Sequence, residues 1–239
     1  MSYGRIGVIG AMDSELAALI AALAQPARET VQGLAFHTGR LGAREVVLVR
    51  CGIGKVSAAR CTQVLIDRFA PAAVINTGIA GGLGAGLAVG DIVVAAGLVP
   101  PAFDAAPIGF VRGCLCMGDP GAPTVFTPDE PLSALLARTA GDAAGAQQVH
   151  RGLIATGDQF ISGAAEKAAI RRAFPSAMAA EMEGGAVAQA ASMSGVPFAV
   201  VRAISDLADG TAAASFEQFE QRAADVSAAA VLQALALLD

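Results

Sequence analysis

Residues 176–195 read SAMAAEMEGGAVAQAASMSG. The small apolar residues at 177–180 suit a buried strand, and the alanine-rich run after them suits a helix that ends near Ser194. Between the two stands Glu181-Met182-Glu183, a pair of carboxylates where pattern alone asks for Ala or Val. Residues 197–204 then read as another strand, so the stretch is a β-α-β unit with acids at a strand exit.

The same rhythm runs outward in both directions. Upstream, residues 5–9 form a β-rich run closed by Gly10, and 14–24 read as a helix. Residues 34–39 and 45–50 look like strands around the turn at Leu41-Gly42, and 55–69 like a helix. Residues 73–77 make a buried strand that opens into GIAGGLGAG, and 91–95 make another. Residues 98–124 are too dense in proline and glycine for a regular element and read as a long loop or insertion. Beyond it come a helix near 128–139, a strand near 149–155 and a helix over 164–173. A long helix over 215–238 closes the chain. Strands alternating with helices predict an α/β fold: one unit over residues 1–239, with a mixed, largely parallel central sheet flanked by helices.

Composition narrows the function classes. Apolar residues make up 54% of the chain and charged ones 15%, which supports a large core and excludes disorder. A mean hydropathy of +0.57 with so few charges predicts that some faces are covered by a partner subunit, a homodimer. No window of about 18 apolar residues is free of charges or turns, so no membrane span or membrane partner is expected. The N-terminus lacks a signal-peptide pattern, and the chain is read as cytoplasmic. A net charge of −5 with no basic cluster makes nucleic acid a poor partner. Cys51, Cys61, Cys114 and Cys116 form no CxxC, and His37 and His150 do not cluster with them, so no metal site is expected and the thiols read as buried and free.

In open α/β sheets, ligands gather at the carboxyl ends of strands. The six exits are 10–15, 51–55, 78–83, 156–163, 181–183 and 205–209. Four of them carry acids: Asp13 and Glu15, Asp158, Glu181 and Glu183, and Asp206 and Asp209. The glycine-rich NTGIAGGLGAG lacks GxGxxG, and GIGKV lacks the Ser/Thr of a phosphate loop after Lys55. Its glycines read either as tight turns or as room for a ligand to approach the backbone. In VVRAISDLADG, Asp206 emerges from a strand where desolvation would let it keep a proton near neutrality, with Ser205 to orient it; a helix N-cap is the alternative. Glu183 either decorates a helix N-terminus or offers two oxygens to vicinal hydroxyls. Glu181 reads as an edge residue, and Asp13 or Ser14 as a cap for the first helix.

Taken together, IGVIGAMDSE, CGIGKVSAA, INTGIAGGL, VGDIVVA, TGDQFISG, AAEMEGGAVAQ and VRAISDLAD occur in an order and spacing that resemble the 5'-methylthioadenosine/S-adenosylhomocysteine nucleosidases. These belong to the purine nucleoside phosphorylase and uridine phosphorylase superfamily, and the resemblance implies its α/β/α sandwich. It also implies hydrolysis of the bond between adenine and ribose in a small nucleoside, with no cofactor. Asp206, held by Ser205, matches the general acid at purine N7, and Glu15 matches the acid that activates water. Glu183 and the Met182 backbone match the ribose-hydroxyl pair, with Arg202 a basic residue beside them and Glu181 a support. Phe160 matches the ring stacked on adenine, Ile161 the backbone that reads its edge, and Met12 a methionine near the ribose.

Two departures stand out. Ile79 occupies a position that carries a hydroxyl in many relatives, which argues for water over phosphate as nucleophile. Pro101 and Ala102 stand where relatives carry His and Asp shortly before the acid aligned with Asp104. That loop is implied to form the dimer contact and the pocket for the 5' substituent, with Phe110 reaching a neighbour's site. The rivals are a phosphorolytic enzyme using Lys55, Arg50 or Arg202, a nucleosidase for a bulkier 5' group of futalosine or adenosylhopane type, and a silent nucleoside-binding scaffold.

Overall fold

A computed structural model describes residues 3–115, 118–145 and 147–238; Cys116 lies outside the described residues. Among the described residues nine strands follow one another as β1 (Ile6–Gly10), β2 (Ala24–Val31), β3 (Leu34–Leu41), β4 (Arg44–Arg50), β5 (Ala73–Gly82), β6 (Ile92–Val99), β7 (Val149–Thr156), β8 (Ala177–Glu181) and β9 (Phe198–Asp206). The helices are α1 (Asp13–Ala21), α2 (Lys55–Phe69), α3 (Glu130–Ala144), α4 (Ala164–Ala173), α5 (Gly184–Met193) and α6 (Ala212–Leu237). All nine strands belong to one sheet, in the order β2-β3-β4-β1-β5-β8-β7-β6-β9.

That sheet also curls on itself. β9 pairs with β5 as well as with β6, so β5, β8, β7, β6 and β9 close a five-stranded ring. β1 runs parallel to β4 and β5, β5 to β9, and β7 to β6 and β8. β5–β8 and β6–β9 are antiparallel, as is the β2-β3-β4 meander. The mixed, largely parallel sheet expected from the sequence is what forms.

Strands buried on both faces show continuous apolar runs, and period-2 alternation decides which helices each residue meets. Ile9, Val74, Phe198 and Val200 enter a core with Cys61, Leu65 and Phe69 of α2 and Val187 and Ala191 of α5. Their neighbours Val8, Ile75, Ala199 and Val201 face the other way. There they join Leu16 and Leu19 of α1, Leu132 and Leu136 of α3, and Ala228 and Val231 of α6. Helices therefore cover both faces. Of the expected free thiols, Cys51, Cys61 and Cys114 are buried and form no disulfide.

Three elements differ from the sequence expectation. The first helix stops at Ala21 and not at residue 24, and residues 24–31, for most of which the sequence pattern predicts no element, form β2. β2 is a largely exposed edge strand, so it lacks apolar alternation and tolerates Pro26. A register shift between Ala24 and Ala27, and φ of 54° at Gln25, let it bend there. The glycine-rich stretch is not a turn at first: β5 continues through it to Gly82. The long loop begins after Val99 and holds one short 3-10 turn, Ala106–Ile108. No helix among the described residues is long and apolar enough to cross a membrane.

Candidate active site

Each acid is placed by the end of a strand. β1 stops at Gly10, and α1 begins at Asp13 with Met12 in the N-cap position. Glu15, in the first turn, folds back so that its Oε2 accepts from the N–H groups of Ala11 (2.5 Å) and Met12 (3.0 Å). Its Oε1 accepts from Ile79 N at 3.2 Å on β5. Neither Asp13 nor Ser14 caps the helix: exposed Asp13 meets Arg50, and the Ser14 hydroxyl donates to Glu220. Glu15 is itself the capping side chain, so the structural and chemical readings of this residue coincide.

Asp206 is the last residue of β9 and is fully buried. The next helix starts only at Ala212, so Asp206 does not cap it. Its Oδ2 accepts from the Ser205 hydroxyl at 2.8 Å, and its Oδ1 from Ala208 N at 2.9 Å. Glycines in β5 make space for both acids. A Cβ at Gly78 would lie 2.4 Å from Glu15 Oε1, and one at Gly81 would lie 3.0 Å from Asp206 Oδ1. The close approach that these glycines permit is to the protein's own carboxylates.

β8 enters antiparallel to β5, with Ala180 opposite Gly81, and delivers the remaining acids from the other direction. Glu181 is no edge residue. Its Oε2 accepts from the N–H groups of Glu183 (3.0 Å) and Gly184 (2.6 Å) and meets Arg202 Nη2 at 2.6 Å. Its Oε1 accepts from the Thr156 hydroxyl, whose oxygen in turn accepts from Gly185 N at 2.7 Å. Glu181 and Thr156 thus satisfy the N-terminus of α5. That frees Glu183, in the N-cap position, to point elsewhere: its Oε1 accepts from Gly54 N at 2.8 Å.

One cavity of about 120 Å³ collects these groups. Glu15, Glu183 and Asp206 line it together with Met12, Ile79, Phe160, Ile161, Met182 and Ser205. Phe160 presents its ring 42% exposed, with Phe216 edge-on at 5.6 Å. Two expected site residues are placed elsewhere. Arg202 does not line the cavity: it is 1% exposed behind Glu181, and its Nη2 also donates to Asn76 Oδ1 at 2.5 Å. It lies four residues before Asp206, about 13 Å back along a strand that is buried throughout. Phe110 is half-buried in the 98–124 loop and does not reach the cavity of its own chain.

Sequence reasoning missed Ile53, Gln159 and Phe216 on the wall, and Asn76 and Thr156 behind it. Ile53, an apolar residue flanked by glycines at a strand exit, carried a readable signal; so did Asn76, a polar residue inside an apolar strand. Asp158 and Asp209, although at strand exits, do not line the cavity; Asp158 pairs with Lys55 at 2.9 Å.

Among the described residues no Lys or Arg lines the cavity. Arg202 is the guanidinium that faces the buried acids. Burial disfavours its charge, yet Glu181, Glu15 and Glu183 more than offset that and hold it protonated. It cannot compensate all three. Burial pushes Glu15 up, against Arg202 and three backbone N–H groups that favour the carboxylate. Burial also raises Asp206, so the group can keep a proton beyond the ordinary carboxylate range. Burial, with the Glu181 charge beside it, pushes Glu183 up to about 7.

The Glu183 shift carries a stability cost. The folded chain binds this proton more tightly than the unfolded one, so stability falls as pH rises from 4.5 to about 7 and stays reduced above that. A shift of that size corresponds to ~3 kcal/mol. Glu183→Gln, whose amide oxygen can still accept from Gly54, is expected to raise Tm by ~6–12 °C at pH 8. At pH 4 the gain should nearly vanish, because both side chains are then neutral. Equal gains at both pH values would remove charge burial as the cause.

Known proteins resemble this chain over nearly its whole length. Residues 5–236 match the family model described as the phosphorylase superfamily. A 5'-methylthioadenosine/S-adenosylhomocysteine nucleosidase of Anoxybacillus flavithermus is 43% identical over 92% of each chain. The nucleosidase of that name from Colwellia psychrerythraea, solved in complex with adenine, is 39% identical. It covers 100% of this chain and 96% of its own, with a TM-score of 0.93. A futalosine hydrolase of Helicobacter pylori is 30% identical over 97% of each chain, with a TM-score of 0.88. Among the described residues no group of three or more His, Cys, Asp or Glu could hold a metal ion.

Proposed function

The chain belongs to the 5'-methylthioadenosine/S-adenosylhomocysteine nucleosidase family of the phosphorylase superfamily, and we propose on that basis that it hydrolyses the N-glycosidic bond of a 5'-substituted adenine nucleoside. The substrates are methylthioadenosine and adenosylhomocysteine, the products adenine and the 5'-substituted ribose. One observation carries the reading: Glu15, Glu183 and Asp206, delivered at or beyond the ends of three separate strands, line one cavity together with Glu181, and no Lys or Arg among the described residues lines it. Phosphorolysis needs a positive site for phosphate. Arg50 is paired with Asp13 and Lys55 with Asp158 on the surface, Arg202 is buried behind Glu181, and Ile79 adds no hydroxyl.

The mechanism follows from the carboxyl environments. Phe160 stacks on the adenine and the Ile161 backbone reads its edge. Glu183, with Oε1 on Gly54, turns Oε2 to the ribose hydroxyls beside Met182 and Met12. As the bond from C1' to N9 breaks, its electron pair enters the purine, and Asp206 gives its proton to N7. The Ser205 hydroxyl and Ala208 N–H then stabilise the carboxylate left behind. Charge that develops on the ribosyl ring is met by Glu15, which takes a proton from the water that attacks C1'. No cofactor takes part.

We place the second subunit of a homodimer over the apolar face formed by the start of α2 and the long loop. Val56 is 84% exposed there and shares a cleft with Phe103. Phe110 then reaches the partner's cavity, and the enzyme resides in the cytoplasm. Sedimentation as a monomer at micromolar concentration would overturn the dimer.

Incubation with methylthioadenosine, adenosylhomocysteine, deoxyadenosine and aminofutalosine, with and without phosphate, tests the reaction. Free adenine with the free pentose, independent of phosphate, is the expected result. Formation of a pentose 1-phosphate would establish phosphorolysis. Preference for aminofutalosine would move the assignment to the activity named for the 30% identical relative.

A further inference from the structure

Asp206 is held by more than its own hydrogen bonds. The β5–β9 ladder passes through a register shift after Ala80 and ends at Gly81, opposite Asp206. One residue further along each chain stand the carbonyls of Gly82 and Leu207, which lack a ladder partner in that pairing. Lys167, half-buried on α4, donates from Nζ to both, at 2.8 Å to Gly82 O and 2.7 Å to Leu207 O. An ammonium is strongly hydrated by preference, and here it bonds two neutral main-chain acceptors instead.

The turn it grips is strained. Ala208, fully buried, sits at φ 49°, a left-handed conformation that disfavours a side chain with a Cβ. That conformation aims the Ala208 N–H at Asp206 Oδ1. Asp206 therefore lies between two strand ends that one ammonium ties together.

We propose that Lys167 is a positioning residue for Asp206: by bridging Gly82 and Leu207 it locks the 207–208 turn and so fixes the direction in which the carboxyl faces the purine. This rests on Asp206 as the proton donor proposed above. The charge has a second effect. Lys167 faces Asp206 and Asp209 and has Arg171 one turn away on its own helix; Asp206 faces Lys167, Asp209 and the Ser205 hydroxyl. Lys167 favours the ionised form of Asp206, and the Asp209 carboxylate opposes it.

The test compares wild type, Lys167→Met, Lys167→Gln and Lys167→Arg, reading kcat, KM and the pH dependence of kcat for adenine release from methylthioadenosine. Loss of the bridge should lower kcat of the Met variant about tenfold while KM changes less than about threefold. Loss of the positive charge should raise the pKa of Asp206. The alkaline limb of the kcat profile then moves up by about 0.3–0.5 of a pH unit in the Met and Gln variants alike. The Arg variant, which keeps charge and donors, should restore both. Should the Met variant not fold, the Gln and Arg pair decides by the same limb.

Three results overturn the proposal: kcat within twofold of wild type in the Met and Gln variants, an unmoved limb, or an Arg variant as impaired as its neutral counterparts. A wild-type enzyme that releases no adenine would instead sink the assigned reaction, which separates the two failures.

Discussion

Asp206→Asn is expected to slow adenine release ~10²–10⁴-fold, the range that a positioned proton donor contributes, while KM for the nucleoside stays within a few-fold. The variant is nearly isosteric. Its amide can accept from Ala208 N and remain beside Ser205, so the cavity and the stacking on Phe160 persist. What it cannot do is release a proton as the purine leaves. In the wild type, kcat should fall as pH rises through the raised pKa of Asp206, because only the protonated form is competent. The residual activity of the Asn variant should lack that limb. Unchanged turnover would remove Asp206 from the chemistry.

Arg202→Met is the substitution with the largest expected effect on stability, a loss of ~3–5 kcal/mol in a denaturant melt. Its side chain and that of Glu181 are each only 2% exposed, so removing the guanidinium leaves a buried carboxylate without its cation. Activity should fall with it, since Glu181 holds the Glu183 and Gly184 N–H groups that fix the turn carrying Glu183. Adding Glu181→Gln to Arg202→Met should recover a large part of the lost stability. A double variant no more stable than the single one would mean that the pair contributes through shape and not through charge.

The sequence alone predicted most strands, because residues buried on both faces leave apolar runs that little else can explain. It was silent on β2, which sits at the sheet edge with its side chains in water and Pro26 in its run. The acids were recognisable because a carboxylate directly after such a run is unusual, and Glu15, Glu183 and Asp206 do meet in one cavity. Their supports were not recognisable. Arg202 lies in the same apolar run as Asp206, and only three-dimensional pairing shows that it serves Glu181 from behind. The glycines of β5 look like loop material until Glu15 and Asp206 are seen in the space that their missing side chains leave.

The strand ring separates two properties of the enzyme that could otherwise change together. Glu181 and Asp206 end strands that are hydrogen-bonded to β5, and Glu15 is bonded to β5 directly, so main-chain pairing fixes where the bond is broken. Residues 100–115 and 118–124 lie outside those ladders. Lengthening or trimming this loop should alter which nucleosides are admitted while leaving the cleavage step as fast as before, and loop grafts are accordingly the economical route to new substrate ranges on this scaffold.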